Sequence, residues 1–273
     1  MEIYEQVSNL IQANQSFAIA TVTKVEGSAP GKVGFKILVM TDGNTMGTVG
    51  GGEIERHIIE ECRARLSSGE SGSHNYLLSG QAKASKDVTV IPMSCSGRIA
   101  VFYEVHGKQP TVYVFGGGHV GQALLYHLKP LAYHTVLIDN RKEFANSAKN
   151  PDADIIHFAD YKEYADSFDT IENSFVVILT HGHKYDSKIL NILYKRNLSF
   201  PYIGIIASKT KAAGILKNLR AEHGQDIDTS CIYTPIGLKI GGTTAAEIAL
   251  AISAEMQSVR YSKTLIDGDK VVP

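Results

Sequence analysis

The sequence predicts an α/β protein in which an N-terminal α+β domain is followed by a Rossmann-like domain with a mostly parallel sheet. The first observation is TVYVFGGGHVGQ at residues 111–122, where a strand pattern, a glycine-rich turn and a helix start follow one another. The second is its position, because a dinucleotide-binding unit normally opens its own domain and the residues before it must then fold separately. We therefore expect domains at residues 1–108 and 109–262, followed by a polar tail at residues 263–273.

Helix and strand patterns are mixed in the first domain. Residues 2–15 carry one apolar stripe at helical spacing, and residues 53–66 carry another. Asp42-Gly43 between two β-branched segments predicts a hairpin. The stretch around residues 80–87 shows no clear pattern, and residues 106–110 read as the linker. The expected strands are residues 17–25, 35–41, 45–49 and 98–105.

Strand-like and helix-like segments alternate after the linker, which is the order of a parallel sheet covered by helices. The last helix is the best marked, because Thr244 and Glu247 form a capping-box pattern before an apolar stripe that ends near Tyr261. The expected strands, each apolar enough to be buried on both faces, are residues 112–115, 135–138, 155–157, 175–179 and 202–206.

Composition limits the class of protein. With 273 residues, of which 44% are hydrophobic and 20% charged, the chain can bury the cores of two globular domains. The 27 Lys and Arg residues nearly balance 28 Asp and Glu residues, so the chain lacks the positive excess that holds nucleic acid or an anionic membrane. Its apolar runs are too short to span a bilayer, and no signal peptide is evident. We expect a cytoplasmic protein that binds small molecules or other proteins.

The glycine turn at residues 116–121 places Gly116, Gly118 and Gly121 in a G-x-G-x-x-G pattern. The first glycine permits the tight bend, the second lets the backbone approach a pyrophosphate, and the third lets the helix pack on the strand. Asp139 ends the next strand about 20 residues later, where an acidic side chain accepts hydrogen bonds from an adenosine ribose. This pair favours an NAD-like over an NADP-like ligand. The alternative is that the glycines serve packing alone and that Asp139 is a surface loop residue.

A second glycine loop lies in the first domain. Gly50, Gly51 and Gly52 join a strand to a helix, and their backbone amides would cradle an anion at the helix N-terminus. Glu53 follows directly and disfavours bare phosphate. The alternative is that the glycines only turn the chain sharply.

The three cysteines are widely separated and form no C-x-x-C pair, so neither a disulfide framework nor a cysteine zinc site is expected. Cys95 lies in PMSCSG, a small-residue stretch before a strand, where a thiol is open to reaction. Cys62 and Cys231 have apolar neighbours and are expected to pack in the core. Cys95 is therefore the cysteine singled out for function.

A histidine cluster, THGHKYD at residues 180–186, follows a buried strand. His181 and His183 belong to an H-x-H-x-x-D set that resembles part of a metallohydrolase site, but the rest of that site is absent. We expect the two imidazoles to line the crevice at the strand ends or to cap the next helix.

A further polar cluster begins the helix after residues 202–206. Ser208 would cap that helix, and the ammonium groups of Lys209 and Lys211 would receive a ligand phosphate. The alternative is a capped helix with solvated lysines.

In the order of its motifs the chain resembles the XdhC/CoxI family, accessory proteins for the maturation of molybdenum-containing hydroxylases such as xanthine dehydrogenase. Several matching motifs lie in the first domain, at residues 27–30, 34–36, 42–55 and 93–97. Further motifs lie in the second, at residues 115–122, 139–141, 180–186, 202–211 and 235–241. Phe35, Ser96 and Ala207 depart from the family pattern, which affects loop detail.

The resemblance implies that the chain binds molybdenum cofactor (molybdopterin), assists its sulfuration with a cysteine desulfurase, and delivers it to a hydroxylase client. It also implies a homodimer. Because thiolate is a soft ligand, Cys95 would face the metal or relay sulfur. No site for a resident metal ion is expected, and the cleft between the domains is the expected site. The expected cofactor-binding residues are Gly50, Gly51, Gly52, Glu53, Gly116, Gly118, His119, Gly121, Asp139, Arg141, Ser208, Lys209 and Lys211.

Two other classes of function stay open. An NAD(P)-dependent oxidoreductase would use the glycine turn with Asp139, and His181 or His183 as proton donor. A metal-dependent hydrolase would be built on the histidine cluster. NAD or another adenine nucleotide is therefore a further expected ligand of the second domain.

Overall fold

The structure is a computed structural model that describes residues 2–79, 88–92, 97–169 and 174–261. The chain divides into two compact units, Met1–Lys108 (the first unit) and Gln109–Pro273 (the second unit). Each unit has its own six-stranded sheet. The fold class expected from the sequence, an α+β unit before a Rossmann-like unit, is confirmed.

The first unit has a mixed sheet with strand order β3-β2-β1-β6-β4-β5. Neighbouring strands pair antiparallel except β4 and β5, which run parallel. The elements are α1 (Glu2–Gln12), β1 (Phe17–Gly27), β2 (Lys36–Met40), β3 (Thr45–Thr48), α2 (Gly52–Ser68), β4 (Gly72–Leu78), β5 (Val88–Ile91) and β6 (Gly97–His106).

The two helices that the structure describes in the first unit pack on opposite faces of the sheet. Successive residues of a strand point to opposite faces, so Ala18 and Ala20 join the core under α2 while Phe17 joins a smaller cluster under α1. On α2 the buried residues Ile54 and Ile58 face the sheet. This arrangement places the start of α2, and the glycine loop before it, at the end of β3.

Both helices and the Asp42-Gly43 hairpin of the first unit agree with the sequence expectation. Strands β4 and β5 were not expected. In β4 only Tyr76 and Leu78 are buried, and its first half is polar, so the apolar alternation that marks a strand is too short to recognise.

The second unit has a sheet in which all described pairs are parallel, with strand order β12-β11-β10-β7-β8-β9. Numbered from the first strand of the unit, this is the Rossmann order 3-2-1-4-5-6. The elements are β7 (Thr111–Phe115), α3 (His119–Leu128), β8 (His134–Asp139), β9 (Ile155–Phe158), α4 (Tyr161–Ser167), β10 (Phe175–Ile178), α5 (His183–Lys195), β11 (Tyr202–Ile205), α6 (Lys209–His223), β12 (Ile232–Tyr233) and α7 (Ala245–Arg260).

Helices cover both faces of this sheet. Alternate residues of β7 divide between two cores: Val112 and Val114 pack with α3 and α7, whereas Tyr113 and Phe115 pack with α4, α5 and α6. The expected cap of α7 is present, since Thr244 and Glu247 form a reciprocal capping box. None of the helices within the described ranges has the length and apolar composition that a membrane span requires.

The five strands expected in the second unit are all present, and the two-residue strand β12 is additional. The expectation that every strand is buried on both faces is wrong for β9. This strand forms an edge of the sheet, and Ile155 and Phe158 are 39% and 62% exposed.

Candidate functional site

The candidate site of the second unit lies at the carboxyl edge of its sheet. Phe115 pairs with Ile138 on one side and with Ile178 on the other, so the residues that follow these three strands lie side by side. Helix α3 after β7 and helix α5 after β10 pack on opposite faces of the sheet. The neighbouring strands β7 and β10 therefore form the topological switch point, where open α/β sheets bind ligands in a crevice.

The glycine turn contains two glycines that are needed for packing. Gly116 has φ +118°, and a Cβ there would lie 2.5 Å from the carbonyl oxygen of Leu179. A Cβ on Gly121 would lie 2.0 Å from the carbonyl oxygen of Gly116. Only glycine fits at either position without moving the backbone.

Gly118 is different from its two neighbours in the motif. The nearest atom that a Cβ there would meet is Nη2 of Arg141, at 3.8 Å. Gly118 caps α3 without a side-chain hydrogen bond and is only half-buried, and His119, the first residue of the helix, is exposed. The space beside this helix N-terminus is therefore open to a ligand.

Asp139 is completely buried at the end of β8, and protein groups fill its acceptor positions. Its Oδ1 accepts hydrogen bonds from the Arg141 backbone N and Nε, each at 2.9 Å. Its Oδ2 accepts from the Gly117 N at 2.7 Å and from Arg141 Nη2 at 2.8 Å. Burial alone would raise the pKa of the Asp139 carboxyl, but these hydrogen bonds and the Arg141 charge hold it below its ordinary value.

The expectations for Asp139 need correction on this geometry. It is neither a surface loop residue nor available to ribose hydroxyls in this conformation, because a carboxylate offers about four acceptor positions and all are occupied. A ribose would have to displace Arg141 before it bound there.

Arg141 was expected among the cofactor-binding residues, and the structure shows how it is held. The side chain is 26% exposed, and the guanidinium carbon lies 4.0 Å from the centre of the Phe144 ring. The Asp139 carboxylate uses the edge of the guanidinium formed by Nε and Nη2. Nη1 makes no hydrogen bond to any residue that the structure describes, so the second edge, formed by Nη1 and Nη2, is available beside Gly118.

Two buried polar residues at this edge were missed by sequence reasoning. Asn150 is 1% exposed, and its Nδ2 donates to the carbonyl oxygens of Gly117, at 3.1 Å, and Phe144, at 2.7 Å. Its Oδ1 has no hydrogen-bond partner within the described part of the chain. Tyr161 is fully buried, and burial followed by the Asp139 charge raises the pKa of its hydroxyl. No motif marks either residue, since each follows a loop of ordinary composition.

The histidine cluster lies after β10. The exposed His181 ring lies 6.3 Å from the Tyr161 ring and 5.4 Å from the Tyr185 ring, centroid to centroid. Asp186 is buried and accepts a hydrogen bond from the Thr180 hydroxyl. His183 begins α5, and its side chain is outside the described part. Among the described residues, no three His, Cys, Asp or Glu side chains lie together as a metal site requires.

Ser208 caps α6 at the end of β11, as expected. Its hydroxyl accepts a hydrogen bond from the Lys211 backbone N at 3.4 Å, and both Lys209 and Lys211 are exposed in the first turn. A role of these ammonium groups in binding a phosphate stays a prediction.

The glycine loop of the first unit does hold an anion, but the anion belongs to the protein. The carboxylate of Glu55 accepts hydrogen bonds from the backbone N of Val49, at 3.0 Å, from that of Gly51, at 3.1 Å, and from the Thr48 hydroxyl. The Gly50 N donates to the Thr48 hydroxyl oxygen at 3.1 Å. The expectation that the amides of Gly50 and Gly51 receive a ligand is corrected accordingly.

Glu55 is the residue that sequence reasoning missed in this loop, in place of Glu53. Burial would raise the pKa of the Glu55 carboxyl, but hydrogen bonds from Thr48 and the loop amides lower it. Glu53 instead bonds Arg56 on the surface of α2. Gly52 has φ +66° and begins α2, and no atom lies within 4 Å of where its Cβ would be. The signal for Glu55 was an acidic residue one helical turn after Gly51.

Cys95, the cysteine singled out from the sequence, lies outside the described residues. The other two behave as expected. Cys62 is fully buried in the core under α2, and burial raises the pKa of its thiol to about 12. Cys231 packs against the core of the second unit, and burial raises the pKa of its thiol too. Neither thiol has the properties of a reactive site.

The face of the first sheet opposite α2 contains a cavity that was not expected. Its volume is about 440 Å³. Lys24, Glu26 and Arg98 provide charged groups, and the Lys24 Nζ lies 2.7 Å from a Glu26 oxygen. Asn75, which pairs with Ala100 across β4 and β6, adds an amide to the lining. The lining therefore offers two cations and an amide as donors and a carboxylate as acceptor, and Lys24 and Glu26 are paired with each other.

Comparisons with known proteins cover both units. Residues 112–256 match the family model described as XdhC Rossmann domain, and residues 10–77 match that of the XdhC and CoxI family. The chain is 28% identical over 261 residues to the uncharacterized protein YqeB of Escherichia coli (strain K12), covering 95% of this chain and 46% of that protein. It is 28% identical over 152 residues to a probable xanthine dehydrogenase subunit of Bacillus subtilis (strain 168), covering 56% and 43%. The chain thus spans less than half the length of these two curated relatives.

Among solved structures, one described as a xanthine dehydrogenase from Bacillus halodurans has the same fold. Its TM-score is 0.53 and its sequence is 20% identical, with 97% of each chain covered. At this level of identity the likeness concerns the fold alone.

Proposed function

The chain belongs to the XdhC and CoxI family, and from this we propose that it is an accessory protein of a xanthine dehydrogenase-type hydroxylase. The observation that carries the proposal is that each unit matches a model of this family. The XdhC and CoxI family model matches in the first unit, and the XdhC Rossmann domain model matches in the second. A relative is a probable xanthine dehydrogenase subunit, which supports a hydroxylase as the client. We propose that the chain binds molybdenum cofactor and assists its sulfuration and insertion.

The cavity on the first sheet is the part of the first unit whose chemistry fits this cofactor best. Arg98 would hold its phosphate together with Lys24, which would have to leave its ion pair with Glu26, and Asn75 and Glu26 would bond the polar edge of its pterin. The glycine loop fits less well, because the carboxylate of Glu55 already accepts from the amides of Val49 and Gly51, and the Thr48 hydroxyl from that of Gly50. When bound, the cofactor would supply the metal and sulfur chemistry; the residues named would bind and orient it.

Cys95 keeps its proposed role as the thiol that faces the metal or relays sulfur. The support is chemical: of the three thiols, that of Cys62 is buried and that of Cys231 is half-buried, and burial raises the pKa of both. A cysteine desulfurase as sulfur donor, a homodimer and a cytoplasmic location complete the proposal.

Transfer of the cofactor to an apo-hydroxylase tests the proposal. The full chain would be loaded with molybdenum cofactor, its affinity measured by absorbance titration, and the activation of the apo-enzyme followed. We expect Cys95→Ala to abolish the gain in activation while Cys62→Ala and Cys231→Ala retain it. Equal losses in all three variants would show general damage, and full transfer by Cys95→Ala would remove the thiol from the mechanism.

Charge variants test the cavity. We expect Lys24→Gln and Arg98→Gln each to weaken cofactor binding by about tenfold, the loss of one charge-assisted hydrogen bond. Lys32→Gln removes an exposed cation outside the cavity and is the matched control. Unchanged affinity in both cavity variants would move the cofactor elsewhere.

An oxidoreductase is the second candidate, and one observation favours it. The second unit has the Rossmann strand order with a G-x-G-x-x-G turn at its switch point. We propose on this ground that the crevice binds an adenine nucleotide, whether or not hydride transfer follows. NADH turnover with a carbonyl substrate, together with no binding of molybdenum cofactor, would replace the accessory role with this one.

A further inference from the structure

We propose that the crevice of the second unit binds a nucleotide that carries a phosphate group on its ribose. The second edge of Arg141, formed by Nη1 and Nη2, binds this phosphate. The ligand would be a 2′-phosphorylated adenine nucleotide of the NADP class, not one with a free ribose diol. This inference rests on the proposed nucleotide site and is independent of the molybdenum cofactor.

The first step concerns Asp139, the group that would otherwise recognise a diol. Ribose hydroxyls are read when they donate to a carboxylate at the end of the second strand of a Rossmann sheet. Here each oxygen of Asp139 already accepts two hydrogen bonds from the protein, and its side chain is fully buried. A diol would have to compete with a charged guanidinium and two backbone amides for the same lone pairs.

The second step concerns the position of Arg141. Its side chain is fixed from two directions, by the paired hydrogen bonds to Asp139 and by the Phe144 ring under the guanidinium. This arrangement orders the side chain before a ligand arrives, which reduces the entropy lost on binding. The edge that remains, with one Nη1 donor and one Nη2 donor, borders Gly118 at the start of α3.

The third step concerns the chemistry that this edge selects. A guanidinium edge forms two parallel hydrogen bonds with phosphate oxygens, and such charge-assisted bonds are about twice as strong as neutral ones. A hydroxyl pair can accept from the same edge only as two neutral groups, so its hydrogen bonds are weaker than those of a phosphate. The N-terminus of α3 adds backbone donors and a positive dipole end on the same side. An Arg near the end of this strand is the arrangement that accommodates a 2′-phosphate.

A buried amide holds the glycine turn and the loop after β8 together. Asn150 holds the carbonyl oxygens of Gly117 and Phe144 with its Nδ2, which fixes the orientation of the amide. Its Oδ1 is buried and has no partner in the part of the chain that the structure describes. Buried polar atoms without a partner are uncommon in native proteins, and this amide oxygen needs a donor, such as a bridging water, which a phosphate is not.

The wild-type protein gives the primary test. Binding of 2′,5′-ADP and of 5′-ADP would be compared by calorimetry, because the two ligands share base, sugar and phosphate count and differ in where one phosphate sits. We expect 2′,5′-ADP to bind at least about tenfold tighter, and NADP⁺ to bind tighter than NAD⁺ by a similar factor. Equal affinities, or a preference for 5′-ADP and NAD⁺, would overturn the inference.

Variants of Arg141 provide the second readout. Arg141→Lys keeps the charge but loses the two-edged fork, so the preference for 2′,5′-ADP is expected to fall to less than about threefold. Lys142→Gln removes a neighbouring exposed cation and is expected to keep the preference. If folded Arg141→Lys protein keeps the full preference for 2′,5′-ADP, Arg141 is not the residue that recognises the 2′-phosphate.

The outcomes separate this inference from the proposals it follows. Equal binding of 5′-ADP and 2′,5′-ADP would support the nucleotide site and overturn only the recognition of the 2′-phosphate. Binding of neither ligand would remove both for the crevice, while the transfer assay with molybdenum cofactor would still decide the accessory role.

Discussion

Asp139 and Arg141 form a closed pair in which Nε and Nη2 of the arginine bond the two carboxylate oxygens at 2.9 and 2.8 Å. The same carboxylate also receives the amide of Gly117, so the pair fastens the end of β8 to the glycine turn. Asp139, which sequence motifs assign to ligand binding, therefore also links two loops of the crevice.

Asp139→Asn is expected to destabilise the second unit by about 3 kcal/mol at pH 7, because it removes one partner of a buried ion pair. Since the folded-state pKa of Asp139 lies below its ordinary value of 3.8, its contribution is complete above the unfolded-state pKa and is lost as the pH falls through the folded-state pKa. The difference in unfolding free energy between wild type and variant should therefore shrink below pH ~4. Urea unfolding at several pH values measures it; a difference that is constant down to pH ~2 would contradict the pairing.

Gly121→Ala and Gly118→Ala are expected to differ sharply. The added methyl of Gly121→Ala would meet a backbone carbonyl oxygen at 2.0 Å, so a loss of about 3 kcal/mol or more is expected. At Gly118, where φ is −69° and the nearest atom is 3.8 Å away, the change should be within about 1 kcal/mol. Thermal unfolding compares the two, and nucleotide titration of Gly118→Ala then reports ligand contact without a folding defect. Similar melting temperatures for both variants would show that the turn relaxes freely.

Glu55→Gln should destabilise the first unit by about 1 to 2 kcal/mol, because the neutral amide replaces charge-assisted hydrogen bonds to the loop. The matched control is Glu53→Gln, two residues earlier on the same helix, whose partner is the exposed Arg56. That control should change stability by less than about 0.5 kcal/mol. Chemical unfolding of both variants gives the comparison, and an effect of Glu53→Gln as large as that of Glu55→Gln would refute it.

Cys62 should resist thiol reagents in the folded protein. Its side chain is fully buried, and the pKa of about 12 leaves almost no thiolate at pH 8. Alkylation followed by mass spectrometry should show Cys62 unmodified in native buffer and modified in denaturant. Rapid native labelling of Cys62 would mean that α2 opens from the sheet.

The parallel sheet could be predicted from the sequence because its strands are continuous apolar runs. Phe175–Ile178 and Tyr202–Ile205 are buried at every residue, which no surface strand would allow. Strand β4 shows the opposite case. Its burial is confined to its second half, so local composition carries too little information and only pairing with β6 makes it a strand.

The sequence predicts where the candidate site lies, but not which side chains contact each other there. The sequence places Gly116 and Asp139 after consecutive strands, and parallel pairing brings such residues together. It does not show that the side chain of Arg141 folds back on Asp139, because that contact depends on the path of the loop after β8. The role of Glu55 could not be predicted either, because a charged residue in the first turns of a helix usually faces water and its contact with Val49 depends on the path of the glycine loop.

The glycine loop before α2 would, on composition alone, be a flexible part of the first unit, since Gly50, Gly51 and Gly52 all have positive φ. The carboxylate of Glu55 accepts hydrogen bonds from the amide of Gly51 and from that of Val49, the residue just before the three glycines. The cost of ordering the loop is therefore met during folding and not at the moment of an encounter. Whatever molecule touches this surface meets a shape that is already set.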